Sequence, residues 1–150
     1  MIDVKELRLS NWVLDSEGVE RQVTVISAQG RVFLPPVKYV DRMPKILKLG
    51  EDCSTDLVNP ITITPEVLEA CGFRLLQKNN CHYVIDWPNQ RISQQKISVF
   101  RSNDVFNVAF SNTLSGYVDY ILPTEIEYLH QLQNLYFDLC GQELEYKPKV

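Results

Sequence analysis

Histidine is scarce in this chain, with only His82 and His130, and the six glycines are scattered singly at places that read as turns and helix ends. The first scarcity leaves few groups for acid–base or nucleophilic chemistry near neutral pH. The second excludes a phosphate-cradling loop or a dinucleotide fingerprint, which need glycines clustered at fixed spacing. Cysteine is present only at 53, 71, 81 and 140, with no Cys-x-x-Cys pair and no histidine at zinc-finger spacing, so a structural metal is not expected. The four read as reduced thiols. No stretch approaches the roughly 18 apolar residues that span a bilayer, and Met1–Glu6 carries neither a basic leader nor an apolar core, so a cytoplasmic protein is expected. Excess positive charge is also missing: 15 basic against 19 acidic residues give a net charge of −4. That balance argues against generic binding to nucleic acid or anionic membrane, which draws its free energy from neutralising phosphates.

What the chain does have is an ordinary globular composition, 45% hydrophobic and 23% charged over 150 residues, which suits a single domain able to bury its own core. Its most legible piece is Leu122–Gly141. Pro123, Thr124, Glu125 and Glu127 read as a helix start and Gly141 as its stop, predicting a helix over 124–140. Tyr128, Leu132, Leu135 and Leu139, widened by Leu129 and Tyr136, make an apolar stripe, with Gln131, Gln133, Asn134 and Asp138 left to the other side.

Elsewhere strands dominate, and the expected fold class is α+β. A strand over Asn11–Leu14 turns through Ser16-Glu17-Gly18 into Gln22–Ser27, and a third strand, Arg31–Leu34, ends at Pro35-Pro36. Three short strands joined by tight turns resemble the start of a small SH3-like barrel, an analogy of fold without function. Residues 37–59 read as a long loop with one short strand at Lys45–Leu49. A strand at Ile61–Ile63 leads to a short helix with Thr64 as N-cap, Pro65 at its first position and Gly72 at its end. Five strands follow as an antiparallel meander: Arg74–Leu76, His82–Trp87, Ile97–Arg101, Val105–Phe110 and Tyr117–Leu122, with the last helix packed on one face. The sub-parts are therefore 1–63 barrel-like, 64–72 helix, 73–122 sheet, 124–140 helix and 142–146 edge strand, the last suggested by Glu143–Tyr146.

The run Tyr128-Leu-His-Gln-Leu-Gln-Asn-Leu-Tyr-Phe137 followed by Cys140-Gly-Gln-Glu-Leu144 resembles the closing signature of a small uncharacterised protein family of bacterial genomes and their phages. The resemblance extends to Leu7–Val13, where that family carries glycine in place of Ser10, and to Pro60–Phe73. It implies a phage or mobile-element association and brings no activity, cofactor or catalytic residue.

Candidate chemistry is thin. Cys81 and His82 are adjacent, and adjacent side chains of a strand point to opposite faces, so they do not make a nucleophile–base pair. His82 with Asp86, or His130 against the sheet, are the remaining arrangements, each with the plainer reading of a structural histidine. The best anion-binding candidate is the basic stretch 31–48, where Arg31, Lys38, Arg42, Lys45 and Lys48 are interleaved with Phe33 and Tyr39, a pattern able to stack a ring and neutralise a phosphate. Asp119, interrupting an apolar and aromatic strand, is a further candidate ligand contact if its face lines a pocket. Its plainer reading is an outward-facing polar position.

Glu125, Glu127, Asp138, Glu143 and Glu145 make the C-terminal part acidic, opposite in sign to 31–48, which suits either head-to-tail self-pairing or a basic partner. The reading that follows is a non-catalytic protein docking on a host protein through the acidic helix or the 37–59 loop, in the manner of an inhibitor of host defence. The alternatives are sequestration of a small anionic or nucleotide ligand by Arg31, Phe33, Lys38, Tyr39, Arg42 and Asp119, and a small hydrolase or lyase. No cofactor is expected.

Overall fold

A β-hairpin opens the fold, and Asp15 makes its turn. The computed structural model describes residues 2–27, 29, 31–34, 37–38, 47–48, 51–54, 58–79, 81–88, 95–103, 105–112 and 118–148. In it β1 (Trp12–Leu14) pairs antiparallel with β2 (Glu20–Gln22), Val13 opposite Arg21. Gly18 takes φ +79°, a left-handed geometry natural to glycine. Asp15 Oδ1 accepts from Glu17 N at 3.0 Å and Val19 N at 2.9 Å, and Oδ2 accepts from Arg21 Nη1 at 3.2 Å. Both charged side chains are fully buried, and Arg21 Nη2 donates onward to Leu34 O at 2.8 Å. One ion pair thus ties the hairpin turn to the end of the next sheet. In the turn before β1, Ser10 has φ +72°, so glycine at that position would sit without strain.

The single strand expected over Gln22–Ser27 is in fact two, because the chain changes partner within it. Val23 N donates to Asn11 O at 2.8 Å beside β1, whereas Thr24 N donates to Phe33 O at 3.1 Å. β3 (Val25–Ile26) therefore joins a second sheet, with β4 (Arg31–Leu34) in the middle and, beyond two short paired strands β5 (Val37–Lys38) and β6 (Leu47–Lys48), β7 (Glu51–Ser54) on the far side. The long loop expected over 37–59 is corrected accordingly, since three strands lie in it. β7 has no apolar alternation to betray it, yet its ladder with β4 is regular from Arg31 opposite Ser54 to Leu34 opposite Glu51.

Ile2, Leu7, Val13, Val23, Val32, Leu34 and Val58 form the buried core of this first compact unit, Met1–Ile61. Among the described residues its strands make three small antiparallel sheets and no closed barrel.

The second unit, Thr62–Val150, begins with the expected short helix. Thr64 Oγ1 accepts from Val67 N at 3.3 Å at the head of α1 (Pro65–Ala70), and Gly72, at φ +87°, ends it as Phe73 N donates back to Leu68 O at 3.0 Å. The expected meander follows: β8 (Arg74–Gln77), β9 (His82–Asp86), β10 (Gln95–Ser102), β11 (Val105–Asn112) and β12 (Val118–Ile126), neighbours in sequence and in space. Register aligns Tyr83, Val99 and Val108 across the three central strands on one face, all buried, while Val84, Ser98 and Ala109 are buried on the other. Residues 89–94 and 113–117, between these strands, lie outside the described residues. The chain is α+β, mostly antiparallel strands with two α-helices among the described residues.

The last helix starts later than expected. α2 is Leu129–Cys140, because Glu125 and Ile126 stay in β12, opposite Asn107 and Phe106, where Ile126 is 1% exposed. Pro123 is tolerated there because β12 is the edge strand and the register shifts around it. Burying Ile126 against the sheet outweighs the local helix-start signals of Pro123 and Thr124. The helix is capped instead by Gln131, whose Oε1 accepts from Tyr128 N at 3.1 Å and Glu127 N at 2.9 Å, and it ends as expected at Gly141, φ +67°.

The buried stripe is Leu129, Leu132 and Tyr136 with His130 and Gln133, while Leu135 and Leu139 are half-buried. Gln133 is inside because its Nε2 donates to Leu144 O at 3.4 Å. The edge strand expected at 142–146 is not formed: the segment joins no ladder, although Leu144 and Tyr146 are buried and Lys147 N donates to Ala70 O at 3.1 Å.

Removing either member of the Asp15–Arg21 pair strands a buried charge, so Asp15→Ala and Arg21→Ala should each cost about 3–5 kcal/mol of unfolding free energy. Urea denaturation reads this directly, and a loss below about 1 kcal/mol, as for an exposed pair, would contradict it.

Candidate functional site

Alternation along β4 decides what the first unit shows to solvent. Val32 and Leu34 point inward, 1% and 0% exposed, so Arg31 and Phe33 point out. Val25 of β3 lies opposite Phe33 in register and is itself 53% exposed, making a cross-strand apolar pair at the surface with Arg31 two residues along. The backbone beneath is held on the β3 side, where Arg31 N donates to Ser27 Oγ at 3.2 Å, Ser27 N to Arg31 O at 2.9 Å and Thr24 Oγ1 to Phe33 O at 3.2 Å, and on the other side by its pairing with β7. An apolar pair on a fixed sheet surface with a guanidinium beside it is preorganised for contact.

The other residues singled out from the sequence are not brought to this face in the described structure. Lys38 lies in β5, where its backbone pairs with Leu47, while Tyr39 and Arg42 lie outside the described residues. Asp119 belongs to the second unit, in β12, at a register shift where Tyr120 pairs with Phe110 and Val118 with Ser111, so Asp119 is the extra residue. Ile121, two residues along, is 54% exposed, and β12 is an edge strand of its sheet. Val25 was missed by sequence reasoning, since its place beside Phe33 follows from the change of partner at Thr24.

The histidines are both interior. His82 is 6% exposed, its ring is edge-on to Phe100 at 6.1 Å, and its Nε2 is buried with no hydrogen-bond partner. Burial lowers its pKa below the usual imidazole value. Asp86 lies four residues along β9, about 13 Å away by strand rise, and is held by Arg74 at 3.1 Å and Lys96 at 3.8 Å. His130 is buried on α2 with its ring parallel to Tyr128. Burial also pushes the Cys71 thiol up to about 12 and raises that of Cys140, so neither is a thiolate at neutral pH.

A groove of about 280 Å3 lies within the second unit, lined by Thr62, Ile63, Thr64 and Pro65 on one side and by Arg101, Val105, Phe106, Ile126 and Glu127 on the other. Of the candidate ligand contacts read from the sequence, none of the described ones lines it, whereas Glu127 of the acidic group does. Among the described residues no group of histidine, cysteine and carboxylate side chains is placed to hold a metal, and no helix is long and apolar enough to cross a membrane. Comparison of the chain with family models, curated proteins and solved structures returns no match.

The buried His82 sets a pH dependence. Its folded pKa is lowered, so as pH falls through about 6.5 the unfolded chain takes up its proton first and stability drops, by at most about 1.4 kcal/mol per pH unit for one proton. Between pH 7.5 and pH 5 the wild-type chain should lose more stability than His82→Gln in urea unfolding. Equal losses would contradict a neutral, buried imidazole.

Proposed function

We propose that the chain is a non-catalytic binding protein that docks on another protein through the outer face of the β3–β4–β7 sheet. The observation that carries this reading is the exposed Phe33–Val25 pair with Arg31 beside it. A large apolar ring and a guanidinium held on rigid strands are the side-chain types that anchor protein interfaces. The face is open, which suits a broad macromolecular contact better than an enclosed small anion, so docking ranks above sequestration of a nucleotide by Arg31 and Phe33. Interior histidines and protonated thiols offer little to a hydrolase or lyase.

The partner in this reading is a host protein, and the chain is of phage or mobile-element origin, acting as an inhibitor of host defence; the support is the resemblance carried by Leu7–Val13, Pro60–Phe73 and Tyr128–Leu144. Free Cys71, Cys81 and Cys140 suit the reducing cytoplasm. An SH3-like barrel is the proposed scaffold, supported by one core cluster that draws Val13 from the β1–β2 sheet together with Val32 and Leu34 from β4.

The test is co-purification from bacterial host cells with the wild-type chain and with Phe33→Asp and Arg31→Glu variants. Both positions are exposed, so the variants should fold. The expected result is a stoichiometric host protein retained by the wild type and weakened at least about tenfold by each variant, the effect of losing an interface anchor. The same protein retained equally by all three would overturn the assignment of this face.

A further inference from the structure

We draw no further inference here: the strongest candidate, the pair of open edges of the second unit's sheet, where Leu75 and Leu76 of β8 and Tyr120 and Ile121 of β12 are exposed, is an unpartnered apolar surface, and nothing in the structure shows what covers it.

Discussion

The first unit depends on a charge pair taken entirely out of water. Burying Asp15 and Arg21 costs several kcal/mol of desolvation, which is recovered only where geometry is good and the remaining donors and acceptors are met. Here Asp15 accepts from two turn amides as well as from Arg21, and Arg21 reaches the carbonyl of Leu34. The pair therefore couples a local event, closure of the β1–β2 turn, to a distant one, the placement of the end of β4. With Leu34 held inward, the two-residue period of the strand turns Phe33 and Arg31 to solvent. A buried interaction thus selects which side chains face solvent.

The second unit is organised differently, by apolar burial on both faces of its central strands. A long meander with Tyr83, Val99 and Val108 aligned in the middle has little need of a buried ion pair, and its charge network of Arg74, Asp86 and Lys96 is exposed and contributes little. His82, Ser98, His130 and Gln133 are buried polar side chains of this unit, and burial lowers the pKa of His82.

How much of this the sequence shows depends on how local each cause is. α1 was legible in full, because Thr64, Pro65 and Gly72 act within one turn of the positions they govern. The meander was legible because period-two alternation survives wherever one face is buried. The start of α2 was misread: Pro123, Thr124 and Glu125 fit a helix start and an irregular edge strand equally well, and the pairing of Ile126 with Phe106 decides between them from twenty residues away. Gln133 was placed on the wrong side of α2 for a similar reason, since the segment that accepts its hydrogen bond comes later in the chain. The Asp15–Arg21 pair left no sign, because charged residues in a turn read as solvated until the fold encloses them. Of the site, Arg31 and Phe33 were named from the basic and aromatic interleaving of 31–48, whereas Val25 and the surroundings of Asp119 are matters of register.

The proposed docking function rests on presentation rather than chemistry: strands hold an aromatic ring, a branched apolar side chain and a guanidinium at the surface. The most direct test replaces Phe33 with a photo-crosslinking phenylalanine analogue in the full chain, expressed in bacterial cells. A second version carries the analogue at Leu75, which is 48% exposed in the second unit. The account predicts one dominant adduct from position 33 that is absent from position 75. No specific adduct from position 33, or the same adducts from both positions, would contradict it.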